Sequence, residues 1–147
     1  MRILCVCLGN ICRSPMAEGA IRKRAAEAGL EITVDSAGTG AYHLGQPPDL
    51  RGLKAALARG YDNGAQRARQ VGPEDFHCFD LILAMDSANL AHLRRMAPAN
   101  PPELRLFDPQ GQDIPDPYHG GPEEYEHALD MVEAATDDLI ATLRERV

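Results

Sequence analysis

The apolar positions of this chain follow two alternating rhythms. Ile3, Leu4, Cys5 and Val6 form a short unbroken run, the pattern of a strand buried on both faces. Helix formers come next and predict a helix over residues 15–28, with Ala17, Ala20 and Ile21 on one face and Arg22, Lys23 and Arg24 in solvent. Gly29 is placed to stop it. Residues 31–34 predict a second strand, ending in a small-residue loop over 35–40. The next helix, over 49–59, has Asp49 as N-cap, Leu50, Leu53 and Leu57 at helical spacing, and Gly60 as its close. Residues 73–76 read as a helical turn, 79–84 as the clearest strand, 87–97 as a helix with Leu90 and Leu93 inward, and 104–107 as the last strand. A loop rich in Pro, Gly and Asp leads to Gly121, and a final helix from 122 to about 146 carries Tyr125, Leu129, Val132, Leu139, Ile140 and Leu143 on one stripe. Strands alternating with helices predict an α/β fold: one domain over 1–147, its parallel sheet covered on both faces. Ligands of such folds bind beyond the C-terminal ends of the strands.

At the end of the first strand stands Cys7-Leu8-Gly9-Asn10-Ile11-Cys12-Arg13-Ser14-Pro15. A tight loop between strand and helix turns its backbone N–H groups toward one point at the positive end of a helix dipole, where an anion belongs. A thiol is a strong nucleophile only as thiolate, and amides, a helix N-terminus and a guanidinium all favour that form. Arg13 offers a planar fork that matches two phosphate oxygens. Gly9 keeps the oxyanion position clear, and Asn10 suits left-handed dihedrals. Ser14 is expected as N-cap with Pro15 in the first turn, and its hydroxyl is a candidate donor to Cys7. Cleaving a phosphate ester by a thiolate also needs an acid for the leaving oxygen. Asp35, Asp86 and Asp116 all lie in position, the first two with simpler roles as turn and cap residues. Tyr42 and Tyr118 stand in polar, glycine-rich loops where they could stack on a substrate ring, whereas Tyr125 and Phe79 fit a core.

The Cys-x5-Arg-Ser loop resembles the phosphate-binding loop of the low-molecular-weight protein tyrosine phosphatases, and the similarity spans essentially the whole chain. The resemblance implies the strand order 2-1-3-4. It implies Cys7 as nucleophile, phosphate held by Arg13 and the backbone of Leu8, Gly9, Asn10, Ile11 and Cys12, and Asp116, in Asp116-Pro117-Tyr118, as general acid. Val34-Asp35-Ser36-Ala37-Gly38-Thr39 resembles a second signature, in which Ser36 supports Asn10. Gly45-x-Pro47-Pro48-Asp49-x-Arg51 and the stretch over 79–86 resemble further family segments. His119 departs from the pattern, since many members carry a second aromatic there, which bears on rim specificity. Phosphoarginine enzymes of the family carry threonine at the position of Ile11.

Composition narrows the rest. A formal charge of −7 argues against nucleic acid or an anionic membrane as partner, and obliges the local field of the loop to overcome the global one for an anionic substrate. Four cysteines without framework spacing point to a reducing, cytoplasmic setting, and no apolar run approaches the roughly 20 residues of a membrane span. Cys5, Cys7 and Cys12 lack partners at zinc-ligand spacing, and His43, His77, His92 and His127 show no metal pattern and read as surface or satisfied polar residues. The expectation is therefore a metal-free, cofactor-free phosphomonoesterase acting on phosphotyrosine of a protein or peptide, with Ile11, Tyr42 and Tyr118 as substrate rim and Cys12 as redox partner of Cys7. Alternatives are a phosphoarginine phosphatase, an arsenate reductase, for which only Cys78 remains downstream, and a non-catalytic phosphate-binding module.

Overall fold

The computed structural model describes residues 1–146. Four strands, β1 (Arg2–Cys7), β2 (Thr33–Gly38), β3 (Leu81–Ala84) and β4 (Glu103–Leu106), form one parallel sheet in the order β2-β1-β3-β4. Helices α1 (Arg13–Glu27), α2 (Leu50–Ala58), α3 (Asp75–Cys78), α4 (Ser87–Met96) and α5 (Pro122–Glu145) connect and cover it. Alternate residues of β1 serve the two faces, as the pleat requires. Ile3, Cys5 and Cys7 join a core made with α1, α2 and α5. Leu4 and Val6 join a second core with Phe76, Phe79 and residues of α4. β1 is fully flanked: Val6 pairs with Ala37 on one side and Ala84 on the other. The strand order reverses beside β1, so the crevice for a ligand opens at Cys7. Among the described residues no helix is long and apolar enough to cross a membrane.

Three sequence expectations change. Helix α1 begins at Arg13 with Cys12 at its cap position, so Ser14 lies inside the first turn and is not the N-cap. Among the described residues no side chain caps this end; the Ser14 hydroxyl is engaged by Asn10 and Cys7 instead. The second strand runs on through Asp35 and Ser36 to Gly38, because pairing with β1 continues to Cys7. Ser36, polar and buried, is tolerated there because hydrogen bonds satisfy it. Helix α2 buries Gly52, Ala55 and Ala56 and leaves Leu50 and Leu57 64% and 61% exposed. It lies close to α5: a Cβ on Gly52 would already be in van der Waals contact, 3.5 Å from the Tyr125 ring. Asp49 does cap α2, its carboxylate accepting from Arg51 N–H at 2.9 Å.

Candidate active site

Cys7 ends β1, and its Sγ is buried 3.0 Å from Ser14 Oγ. Asn10 adopts φ 58°, the left-handed conformation expected of it. Its side chain fixes the loop from within. The Arg69 N–H donates to Asn10 Oδ1 at 3.0 Å, which turns the Nδ2 group toward Ser36 Oγ (3.0 Å) and Ser14 Oγ (2.8 Å). Ser36 in turn donates to Glu18 Oε1 at 2.6 Å. One lone pair of Ser14 Oγ receives Asn10, and its proton is available to the Cys7 sulfur, which as a thiolate can only accept. Gly38 lets β2 pass close to the loop backbone, since a Cβ there would meet Leu8 O at 2.7 Å.

Arg13 is almost wholly enclosed, its side chain 3% exposed. One terminal nitrogen donates to Asp86 Oδ2 at 2.6 Å and to Ile114 O at 2.9 Å, and the other faces Asp116 Oδ2 at 3.5 Å. Burial works against its charge, but negative charge on the Cys7 sulfur and the carboxylates of Asp86 and Asp116 outweigh it and hold the guanidinium ionised. Among the described residues its Nε is buried without a partner. An orphaned buried donor costs roughly 1–3 kcal/mol, and an anion in the loop would satisfy it. The uncapped amides at the start of α1 face the same need.

These groups line a cavity of about 460 Å³. Cys7, Leu8, Gly9, Ile11, Cys12 and Arg13 form its floor, and Tyr42, His43, Asp116, Tyr118 and His119 form its mouth. The structure thus brings together Cys7, Arg13, Asp116 and all the predicted rim residues, with Tyr42 strongly exposed and Tyr118 at the exposed margin. Asn10, Ser14 and Ser36 stand behind the loop. Asp35 is directed elsewhere, pairing with Arg69, and Asp86 anchors Arg13 while its other oxygen caps α4 at Asn89 N–H, 2.8 Å. Cys12 Sγ lies 3.5 Å from Tyr125 Oη, and burial pushes its thiol up to about 12.

Two contributors, Glu18 and Arg69, escaped the sequence reading, and two more, His43 and Asp86, were named there without their part in the site. His43, read as a surface or satisfied polar residue, lines the mouth, its ring 6.0 Å from that of Tyr118. Glu18, Arg69 and Asp86 hold the loop from behind. A faint signal existed for Glu18, which follows Ser14 by one helical turn on the same face. Arg69 acts through a backbone N–H, which side-chain identity does not reveal.

Comparison with known proteins agrees with this geometry. The family model for low molecular weight phosphotyrosine protein phosphatase matches residues 2–147. A low molecular weight protein-tyrosine-phosphatase of Streptomyces coelicolor is 43% identical, over 99% of this chain and 95% of that protein. The crystal structure of a protein tyrosine phosphatase from Entamoeba histolytica superposes with a TM-score of 0.94 at 37% identity, over 99% of this chain and 97% of that one. An arginine phosphatase of Drosophila superposes at 0.92 with 30% identity, over 97% and 98% of the two chains. The chain is a member of the low molecular weight phosphotyrosine protein phosphatase family, cysteine-dependent hydrolases of phosphorylated proteins.

Proposed function

We propose that residues 1–147 act as one domain that hydrolyses phosphotyrosine through a cysteinyl-phosphate. The observation that carries the reading is the convergence of Cys7, Arg13 and Asp116, distant in sequence, on one cavity. In the first step the Cys7 thiolate attacks phosphorus. The S–P bond forms as the bond to the phenolic oxygen breaks, and Asp116 delivers its proton to that oxygen. In the second step Asp116 takes a proton from water, the resulting nucleophile attacks phosphorus, and the S–P bond breaks to release inorganic phosphate and the thiolate. Arg13, with its unpartnered Nε, and the loop amides from Leu8 to Arg13 hold the equatorial oxygens where charge concentrates. Ser14 donates to the sulfur when it leaves.

The mouth favours a ring. Ile11 supplies an apolar wall, and Tyr42 and Tyr118 stand where a phenyl group would emerge. A phosphoarginine substrate is the second reading, favoured by the Drosophila neighbour; against it, Ile11 offers a guanidinium no acceptor. A cytoplasmic setting belongs to the same proposal, supported by the free state of Cys5, Cys7, Cys12 and Cys78.

The test compares phenyl and nitrophenyl phosphates. Asp116→Asn is expected to slow the phenyl ester, the poorer leaving group, roughly a hundredfold and the nitrophenyl ester far less. Cys7→Ser should abolish turnover while still binding inorganic phosphate. Equal slowing of both esters would remove Asp116 from the acid role, and turnover by Cys7→Ser would remove the covalent intermediate.

A further inference from the structure

Asp49 and Arg51 belong to a Pro-Pro-Asp-x-Arg segment that takes no part in the chemistry above, yet they lie between the two halves of the site. The Asp49 N–H donates to Ile11 O at 2.9 Å, tying the start of α2 to the phosphate loop. Arg51 grips the Asp49 carboxylate with a fork, Nε to Oδ1 at 3.0 Å and one terminal nitrogen to Oδ2 at 3.0 Å. The same terminal nitrogen donates to Tyr118 O at 2.9 Å, and the other donates to Gly120 O at 3.1 Å. The guanidinium also stacks on two rings, 4.9 Å from the centre of Tyr125 and 5.7 Å from that of Tyr118. Tyr118 N–H in turn donates to Asp116 Oδ1 at 3.1 Å. One cation thus joins the loop of the nucleophile to the loop of the acid.

The loop has little else to hold it. Among the described residues, the remaining hydrogen bonds of 115–121 are made within the loop or to the first turn of α5. Beyond these, the loop meets the rest of the site through the 3.5 Å contact between Asp116 and Arg13 and the tilted contact of the Tyr118 ring with His43, 6.0 Å between centres. The contact with Arg13 is shared with the phosphate site and would weaken whenever Arg13 turns to a bound anion. We propose that Arg51 is a positioning residue, holding the 115–121 loop so that Asp116 stays over the leaving oxygen while Arg13 engages phosphate. The proposal rests on Asp116 being the general acid. Because Arg51 is half exposed, its ion pair with Asp49 adds little to global stability, and its loss should appear in the acid step.

The experiment measures kcat and KM on phenyl and nitrophenyl phosphates for the wild type, Arg51→Ala, Arg51→Lys, Asp116→Asn and the Arg51→Ala/Asp116→Asn double variant. Thermal midpoints are recorded alongside. Misplacing an acid by about an ångström costs roughly ten- to a hundredfold, so Arg51→Ala should lower kcat/KM on phenyl phosphate, which reports the steps through S–P bond formation, at least tenfold. On nitrophenyl phosphate the fall in kcat/KM should stay under about threefold, because that leaving group needs the proton less, whereas kcat also contains the shared hydrolysis of the cysteinyl-phosphate. Arg51→Lys should recover part of the loss, since an ammonium reaches one carbonyl without making the fork. In the Asp116→Asn background, Arg51→Ala should cost no more than about twofold further on phenyl phosphate, because both changes disable one function. Equal losses on the two esters, losses that multiply in the double variant, or a lowered midpoint without leaving-group selectivity would each overturn the assignment. If Arg51→Ala does not fold, Arg51→Lys and Arg51→Gln carry the same comparison. Indifference of Asp116→Asn to the leaving group removes the acid reading and this role with it. Selectivity in Asp116→Asn but not in the Arg51 variants removes this role alone.

Discussion

Replacing Asn10 separates backbone conformation from side-chain bonding in the phosphate loop. The residue is 3% exposed, holds φ 58°, and makes hydrogen bonds to Ser14, Ser36 and the Arg69 N–H. Asn10→Gly keeps the left-handed backbone and deletes the side chain. At a net value of about 1 kcal/mol for each buried hydrogen bond, the loss should be about 2–4 kcal/mol. Asn10→Ala loses the same bonds and adds left-handed strain, a further 1 kcal/mol or so after allowing for the greater unfolded-state freedom of glycine. Urea titration measures both; in a chain of this size the glycine variant should melt roughly 6–12 °C lower. Activity should fall with stability, because Ser14 is then free to turn its proton away from Cys7. If glycine and alanine destabilise equally, backbone strain at position 10 is not at issue. If both remain within about 0.5 kcal/mol of wild type, the hydrogen-bonded scaffold behind the loop is not what holds it.

Three more outcomes follow from the geometry. Wild type should prefer phosphotyrosine peptides over phosphoarginine by at least about tenfold in kcat/KM, and Ile11→Thr should narrow or invert that ratio through the arginine substrate; a wild type faster on phosphoarginine refutes it. Peroxide should inactivate reversibly, oxidising Cys7 to a sulfenic acid; the Cys12 sulfur then attacks the Cys7 sulfur, and the sulfenic hydroxyl leaves with the thiol proton as water to give a disulfide. Because burial holds the Cys12 thiol up near 12, bridging should quicken with rising pH across the neutral range, and mass spectrometry that finds only Cys7 sulfinic acid would exclude the bridge. Glu133 receives Tyr61 and the guanidinium groups of Arg59 and Arg24. Burial opposes its charge, but these partners outweigh it and hold its carboxyl below the ordinary 4.5. Its contribution is therefore complete above pH 4.5 and lost as pH falls through the lower folded value, so acid destabilisation in that window should be smaller in Glu133→Gln, read from thermal midpoints.

What the sequence disclosed was whatever is encoded locally. The apolar run of β1, the spacing of Cys7 and Arg13, the cap at Asp49 and the stripe of α5 each depend on neighbours in the chain. The alternation of strand and helix is local too, whereas the strand order came from resemblance and was then found in the sheet. Helical spacing misled at α2, where Leu50 and Leu57 look like a buried face. Spacing reports which residues share a side, not which side is inward, and the face that meets Tyr125 is the glycine–alanine one. The supports of the loop were hidden for another reason. Asp86 and Ile114 meet Arg13 across separations of 73 and 101 residues, and no local pattern marks such a meeting. His43 looked like any loop histidine until the mouth closed around it.

The central place of β1 has a consequence for synthesis. It is translated before both of its neighbours, and its second flank waits for β3, near residue 81. Until then Ile3 to Val6 is an unpaired apolar edge on the nascent chain, a segment suited to a holding chaperone and prone to wrong pairing. Arg13 gains its carbonyl partner only when Ile114 has emerged, and the acid arrives two residues later. A ribosome-bound fragment ending before that point carries the cysteine without the pocket that gives it work. Catalysis therefore begins late in the making of the molecule, although the nucleophile is among the first residues translated of those that form the site.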